Sequence, residues 1–192
     1  TVYNSVFENN EATGLLANFA NDTGCPVFNH AEQGGAGGLG GAFYSDGLDL
    51  GDHLCGSRFS HNTSGDLGGA LFRSAYWGLL AEAPRQTITW DRTTFDHNTS
   101  PTGGGGAAYV NNSFFTVTGC NFDANDAGGS DGGALKITGA TVAFTNTTVT
   151  GNTGSWGGGI AHWGGGPEGA GTASGVTFAN NTPNDYVGDF PL

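Results

Sequence analysis

Thr87 to Trp163 contains one phrase written three times. Thr94-Phe95-Asp96-His97-Asn98 leads to Gly105-Gly106-Ala107-Ala108. Asn121-Phe122-Asp123-Ala124-Asn125 leads to Gly132-Gly133-Ala134-Leu135. Thr148-Val149-Thr150-Gly151-Asn152 leads to Gly157-Gly158-Gly159-Ile160. The anchors Phe95, Phe122 and Val149 are 27 residues apart each time. A constant period of this size is the mark of a solenoid, in which each repeat buries its apolar face only by stacking on the next.

Further copies lie on both sides. Val6-Phe7-Glu8-Asn9-Asn10 is a fragment, so the chain is expected to open inside a coil. Gly40-Gly41-Ala42-Phe43 matches the glycine pairs. Arg58-Phe59-Ser60-His61-Asn62 leads to Gly68-Gly69-Ala70-Leu71, and Thr177-Phe178-Ala179-Asn180-Asn181 is the last phrase. Within each coil, apolar and polar residues alternate over short runs, the signal of strands. Ile88/Trp90, Phe115/Val117 and Val142/Phe144 should point inward. Thr87/Thr89, Thr116/Thr118 and Thr141/Thr145 should point outward. The asparagine three after each anchor is expected at a corner, its amide bonded to turn backbone or to the same amide one coil away. The glycine pair marks another corner, where the backbone needs positive φ or close approach.

These readings predict an all-β, single-domain parallel β-helix over residues 1–192, with about six triangular coils. Regular coils span about 87–182, and inserted loops are expected at 15–39 and 74–86. At the ~4.8 Å spacing of paired strands, six coils make a rod near 30 Å long.

Composition narrows the function. Glycine supplies 37 of 192 residues without the every-third-residue rule of collagen. Net charge is −12, and the only cations are Arg58, Arg73, Arg85, Arg92 and Lys136. A nucleic-acid partner needs cations to displace phosphate counterions, so that class is excluded. No apolar run reaches the ~18 residues of a membrane span, so no membrane insertion is expected. Low lysine with abundant Asn, Thr and Gly suggests a secreted, extracellular or cell-surface protein. The three cysteines fit no zinc spacing. Cys25 and Cys55 are paired here as a disulfide, and Cys120 is assigned to the core as a small apolar filler. The glycine runs at 34–41, 103–106 and 157–166 lack the Lys-Ser/Thr of a phosphate loop.

Phe-x-x-Asn followed by Gly-Gly-Ala-(Leu/Ile), as in Phe122 to Leu135, resembles the repeat of the polymorphic outer-membrane protein family and of related secreted right-handed parallel β-helix proteins. The resemblance covers about residues 40–190 and, more weakly, 1–14. It implies right-handed winding and a surface or adhesive setting, and it assigns no chemistry.

Three groups are candidates for function. The outward threonines Thr87, Thr89, Thr116, Thr118, Thr141, Thr145 and Thr172 form a strip that resembles the water-ordering face of ice-binding solenoids, broken by Asp91, Phe114 and Ala143. Asp96 and Asp123 form an acidic column with Glu8, beside the column of His61 and His97; such carboxylates could hold a cation or cut a polysaccharide. Ser60 and Thr150 interrupt the column, and Arg92 is the basic group in the same run. Tyr44, Phe72 and Tyr109 should face out in one aromatic column near Trp77, Trp156 and Trp163, suited to a glycan or a second subunit. Asp46, Asp49 and Asp52 are a weak calcium candidate; no other cofactor is expected. The sequence therefore predicts a non-enzymatic structural or adhesive solenoid of a surface layer, matrix or filament, self-associating or binding a surface or glycan partner. Ice binding and carbohydrate binding or degradation are the alternatives.

Overall fold

The computed structural model describes residues 1–13, 38–47, 51–75, 86–164 and 169–192. These residues form a right-handed parallel β-helix of twenty short strands, β1–β20 in chain order, all pairing in parallel. The first sheet stacks β1 (Val2–Tyr3), β5 (His53–Cys55), β9 (Thr87–Asp91), β12 (Phe114–Thr118), β15 (Thr141–Thr145) and β18 (Gly171–Ser174). The second stacks β2 (Val6–Glu8), β6 (Arg58–Ser60), β10 (Thr94–Asp96), β13 (Asn121–Asp123), β16 (Thr148–Thr150) and β19 (Thr177–Ala179). The third stacks β4 (Phe43–Gly47), β8 (Leu71–Ala75), β11 (Ala108–Asn111), β14 (Leu135–Thr138), β17 (Ile160–Trp163) and β20 (Tyr186–Gly188). A two-stranded ladder, β3 (Glu11–Ala12) with β7 (Thr63–Ser64), occupies the next corner.

The register is the one the repeats demand. Phe95 pairs with Phe59 on one side and Phe122 on the other. Inward side chains therefore stack by kind. Phe7, Phe59, Phe95 and Phe122 form a face-to-face column with centroid separations of 4.6, 4.9 and 5.2 Å, and Val149 continues it. Trp90 lies across this column, 4.8 Å from Phe95 and edge-on to Phe115 at 4.7 Å. Offset and edge-on ring pairs each add roughly 0.5–1.5 kcal/mol beyond their buried area.

The corners have separate chemistries. The buried asparagines form a continuous amide ladder. Asn62 donates to Asn98 Oδ1 at 2.9 Å, Asn98 to Asn125 at 2.9 Å, and Asn125 to Asn152 at 2.9 Å. The residue in the left-handed conformation is the one before the asparagine, not the asparagine itself: Asn9, His61, His97, Ala124, Gly151 and Asn180 all have φ between 51° and 64°. Asparagine is retained for its amide, and the turn is made one residue earlier. At the glycine pair both members are needed. A Cβ on Gly105, at φ 69°, would meet the carbonyl of Ala108, and one on Gly106 would meet the Gly133 carbonyl of the next coil.

Strand β8 runs to Ala75, so Ser74 and Ala75 belong to a regular coil rather than to the insertion expected there. The rest of that loop, most of the expected 15–39 loop, Cys25, Asp49 and Trp77 lie outside the described residues. Cys55 carries a thiol 3.5 Å from Asp91 Oδ2, and the Cys25–Cys55 disulfide expected for it falls on a residue outside the described ones. Cys120 is buried as expected, and burial pushes its thiol up to about 12.

Candidate functional site

The outer face of the first sheet carries the threonines in register. Thr89 pairs with Thr116, and Thr118 with Thr145, on adjacent strands. Thr172 continues the Thr89–Thr116 column after Ala143. Phe114 sits between Thr87 and Thr141 and is half-buried. Asp91 is not open to this face: Arg92 closes on it at 2.6 Å and holds its carboxyl below the usual carboxylate range. The strip is therefore four coils long and at most two threonines wide, narrowing to Thr172 alone on β18, with one aromatic and one ion pair set into it.

The outer face of the second sheet is built around Asp96. Arg58, one coil away, grips this carboxylate with both arms: Nε reaches Oδ1 at 2.9 Å and Nη2 reaches Oδ2 at 2.8 Å. Two parallel N–H donors to one carboxylate is the strong form of this contact. Ser60 Oγ also donates to Oδ2 at 2.8 Å. Burial pushes the Asp96 carboxyl up, but the hydrogen bonds from Arg58 and Ser60 and the Arg58 charge outweigh it and hold it below its ordinary value. Asp123 is the neighbour of Asp96 in the column and accepts a 2.8 Å bond from Thr150 Oγ1. The imidazoles of His61 and His97 stack at 4.9 Å with planes 3° apart, projecting from equivalent left-handed corners of adjacent coils.

On the third sheet Tyr44, Phe72 and Tyr109 do form one column, with centroids 5.2 and 5.3 Å apart and nearly parallel planes. That stacking changes what the column can do. Rings stacked on one another turn their edges to solvent, so their faces are spent internally. Phe72 is 6% exposed and Tyr109 half-buried, whereas Tyr44 is 54% exposed. Burial raises the Tyr109 phenol, whose oxygen lies 2.8 Å from Thr138 Oγ1. The open aromatic stripe expected from alternation is thus a closed ladder with one accessible ring. Trp156 stands apart, 62% exposed, and Trp163 ends β17 with its indole N–H donated to Asp131 at 3.0 Å.

Of the weak calcium candidate, Asp49 lies outside the described residues. Asp46 accepts a 3.1 Å bond from Tyr44, and Asp52 pairs with Arg73 at 2.7 Å. Arg73 was invisible to pattern reasoning. It is fully buried in the inward column that reads Ser45, Arg73, Val110, Ile137 and His162. The available signal was its repeat position, where a cation stands in register with Val110. Arg58 was readable in the same way, since it aligns with Thr94 on the outward face beside the acidic column.

Fold and faces together define a parallel β-helix repeat protein with polar outer sheets and a laddered interior. Residues 92–111, from the turn before β10 through the glycine pair to β11, match the family model described as the Chlamydia polymorphic membrane protein repeat. This repeat type is that of surface-associated bacterial proteins. No curated protein and no solved structure gives a match.

Proposed function

We propose that this chain is a non-enzymatic, surface-exposed β-solenoid with a structural or adhesive role, a building block of a surface layer, matrix or filament. The observation that carries the reading is how the outward carboxylates are used. A glycosidase needs two carboxyls facing each other across a scissile bond, roughly 5 to 9.5 Å apart. Here Asp96 is clamped by Arg58 and Ser60, Asp91 by Arg92, and Asp123 is bonded by Thr150. Their hydrogen-bonding capacity is directed into the coil stack rather than toward a substrate. The match to a surface-protein repeat supports the same reading. Trp156 and Tyr44 supply the exposed rings that a partner chain or a sugar would pack on. Electron microscopy and sedimentation of the purified protein, with a glycan array and a polysaccharide-cleavage panel, test it. Ordered assemblies or glycan binding, weakened by Trp156→Ala, are expected. Monodisperse rods that release reducing sugar overturn it.

A second reading rests on the register of the first sheet. Thr89–Thr116 and Thr118–Thr145 repeat at the strand spacing of ~4.8 Å along the axis and, within a strand, at the ~7 Å two-residue step. A rigid hydroxyl and methyl grid of this kind can order water, which supports ice binding. Thermal hysteresis in the wild type, abolished by Thr116→Tyr with Thr118→Tyr at little cost in melting temperature, is the expected result. Its absence in the wild type removes the reading.

A further inference from the structure

Asp131 uses its carboxylate differently from Asp91, Asp96 and Asp123. It stands at the corner before the pair Gly132 and Gly133, in register with Trp156 of the next coil. Its Oδ2 accepts the indole N–H of Trp163 at 3.0 Å, and Lys136 Nζ lies 3.7 Å from the same oxygen while donating to the Gly103 carbonyl at 2.9 Å. Oδ1 meets only the Ser130 hydroxyl, at 3.5 Å, the outer limit of a hydrogen bond. The side chain is 29% exposed. A carboxylate oxygen can accept twice, so Oδ1 keeps acceptor capacity that no described residue fills.

Two indoles border that oxygen. Trp163 ends β17, yet its nitrogen reaches back to Asp131 on the coil of β14, and its benzo edge lies against Gly188 of β20, where an added Cβ would come 3.1 Å from Cε3. The ring therefore spans the outer face of β17. The outward residue between these points is Ala161, in register with Lys136 and Val187 and fully buried although it points out. Small side chains at Ala161 and Gly188 let the indole lie along the sheet. Trp156 is 62% exposed, and the three residues after it, 157–159, are glycines, so no side chain stands between it and Ile160. Neither indole stacks on another ring among the described residues. Their faces are open, unlike those of Tyr44, Phe72 and Tyr109, which are spent on one another.

We propose that Trp156, Trp163 and Asp131 form a binding site for a neutral pyranosyl residue of a glycan. The inference rests on the adhesive reading above and names its residues and its ligand class. A pyranose has an apolar C–H face, which packs on an indole, and a rim of hydroxyls, one of which donates to Asp131 Oδ1. The bond from Trp163 holds ring and carboxylate in place before the sugar arrives, so little ordering is lost on binding. An acidic sugar would set its carboxylate against Asp131 and against a chain of net charge −12, which selects for neutral rings.

The test follows the indole N–H signals of the purified chain by nuclear magnetic resonance during titration with neutral tetraoses of glucose, mannose, galactose and N-acetylglucosamine, and with tetragalacturonate as the acidic control. The Trp156 and Trp163 signals should shift with at least one neutral tetraose, while that of the buried Trp90 stays fixed. Trp156→Ala and Asp131→Asn should each weaken binding about tenfold or more. Neither should lower the melting temperature, because the Trp156 side chain makes no hydrogen bond among the described residues and an asparagine still accepts from Trp163. No shift with any neutral tetraose, unchanged affinity in both variants, or a response to tetragalacturonate alone overturns the site. Filaments that form while every indole signal stays fixed uphold the scaffold reading and overturn the site. Sugar release accompanied by Trp156 and Trp163 shifts upholds the site and overturns the non-enzymatic reading.

Discussion

Asn98 shows how much one side chain does in a laddered core. Its Oδ1 accepts from the backbone and side-chain nitrogens of Asn62 at 3.0 and 2.9 Å, and its Nδ2 donates to the Phe59 carbonyl at 3.0 Å and to Asn125 Oδ1 at 2.9 Å. All these groups are shut off from water, so removal of the amide leaves donors and acceptors on two coils unpaired. Each such group costs about 1–3 kcal/mol. Asn98→Ala is therefore expected to lower stability by about 3 kcal/mol or more, read as a lower urea midpoint with an unchanged slope. His162 gives a different residue-scale effect. It is fully buried, with Nε2 2.9 Å from the Ala140 carbonyl, and burial holds its pKa below the ordinary 6.5. Below about that pH the unfolded chain takes up a proton that the folded chain refuses, so stability falls as pH drops from neutral. Asp96 works lower: its folded pKa lies under the ordinary 3.8, so its contribution is complete above that pH and is lost as pH falls further. His162→Ile, which copies Ile137 one coil earlier, should flatten the melting temperature between pH 7 and 5. The loss below pH 4 should remain.

Strand β8 illustrates the same economy at the scale of an element. Its inward Arg73 reaches Asp52 before β5, Gln86 before β9 and the Ser74 carbonyl, and so ties three segments around the interior of one coil. Removing one member of a buried pair leaves the other charge unmatched, at about 3–5 kcal/mol. Arg73→Val, the residue its Val110 neighbour carries, should cost about that much. Adding Asp52→Asn should recover part of it, and the coupling is read from a double-mutant cycle of denaturant midpoints. This element also marks where sequence reading stops. Phe59, Phe95 and Phe122 were legible as one inward column because alternation and a fixed period leave no other register. His61 and His97 were legible as neighbours for the same reason. Arg73 was not, because alternation tells which way a side chain points but not which distant acid meets it. Ser60 looked like an interruption of the acidic column, yet its hydroxyl joins Asp96 to His61. Tyr44, Phe72 and Tyr109 shared a column as expected, but ring stacking, a torsional choice below the resolution of pattern, closed it.

At the scale of the whole molecule, each coil is hydrogen-bonded to the one before and the one after, as the strand orders of all three long sheets state. Stability in such a stack is a sum of coil terms and nearest-neighbour interface terms, and a defect is felt mainly where it is placed. Phe95 is the most informative place to put one. It is fully buried and touches Phe59 at 4.9 Å, Phe122 at 5.2 Å and Trp90 at 4.8 Å, so it belongs to two interfaces at once. Phe95→Ala removes stacking on both sides and opens a cavity, for a loss of about 3–5 kcal/mol. If coupling is nearest-neighbour, hydrogen exchange should speed most at amides of β6, β10 and β13, while β16 and β19 keep most of their protection. Phe178 lies in the edge strand β19 and belongs to one interface of that sheet. Phe178→Ala should cost less and should leave exchange in β10 unchanged. A uniform acceleration across every coil in Phe95→Ala would instead mean that the stack opens as a single cooperative unit, and that the ladders couple coils well beyond their neighbours.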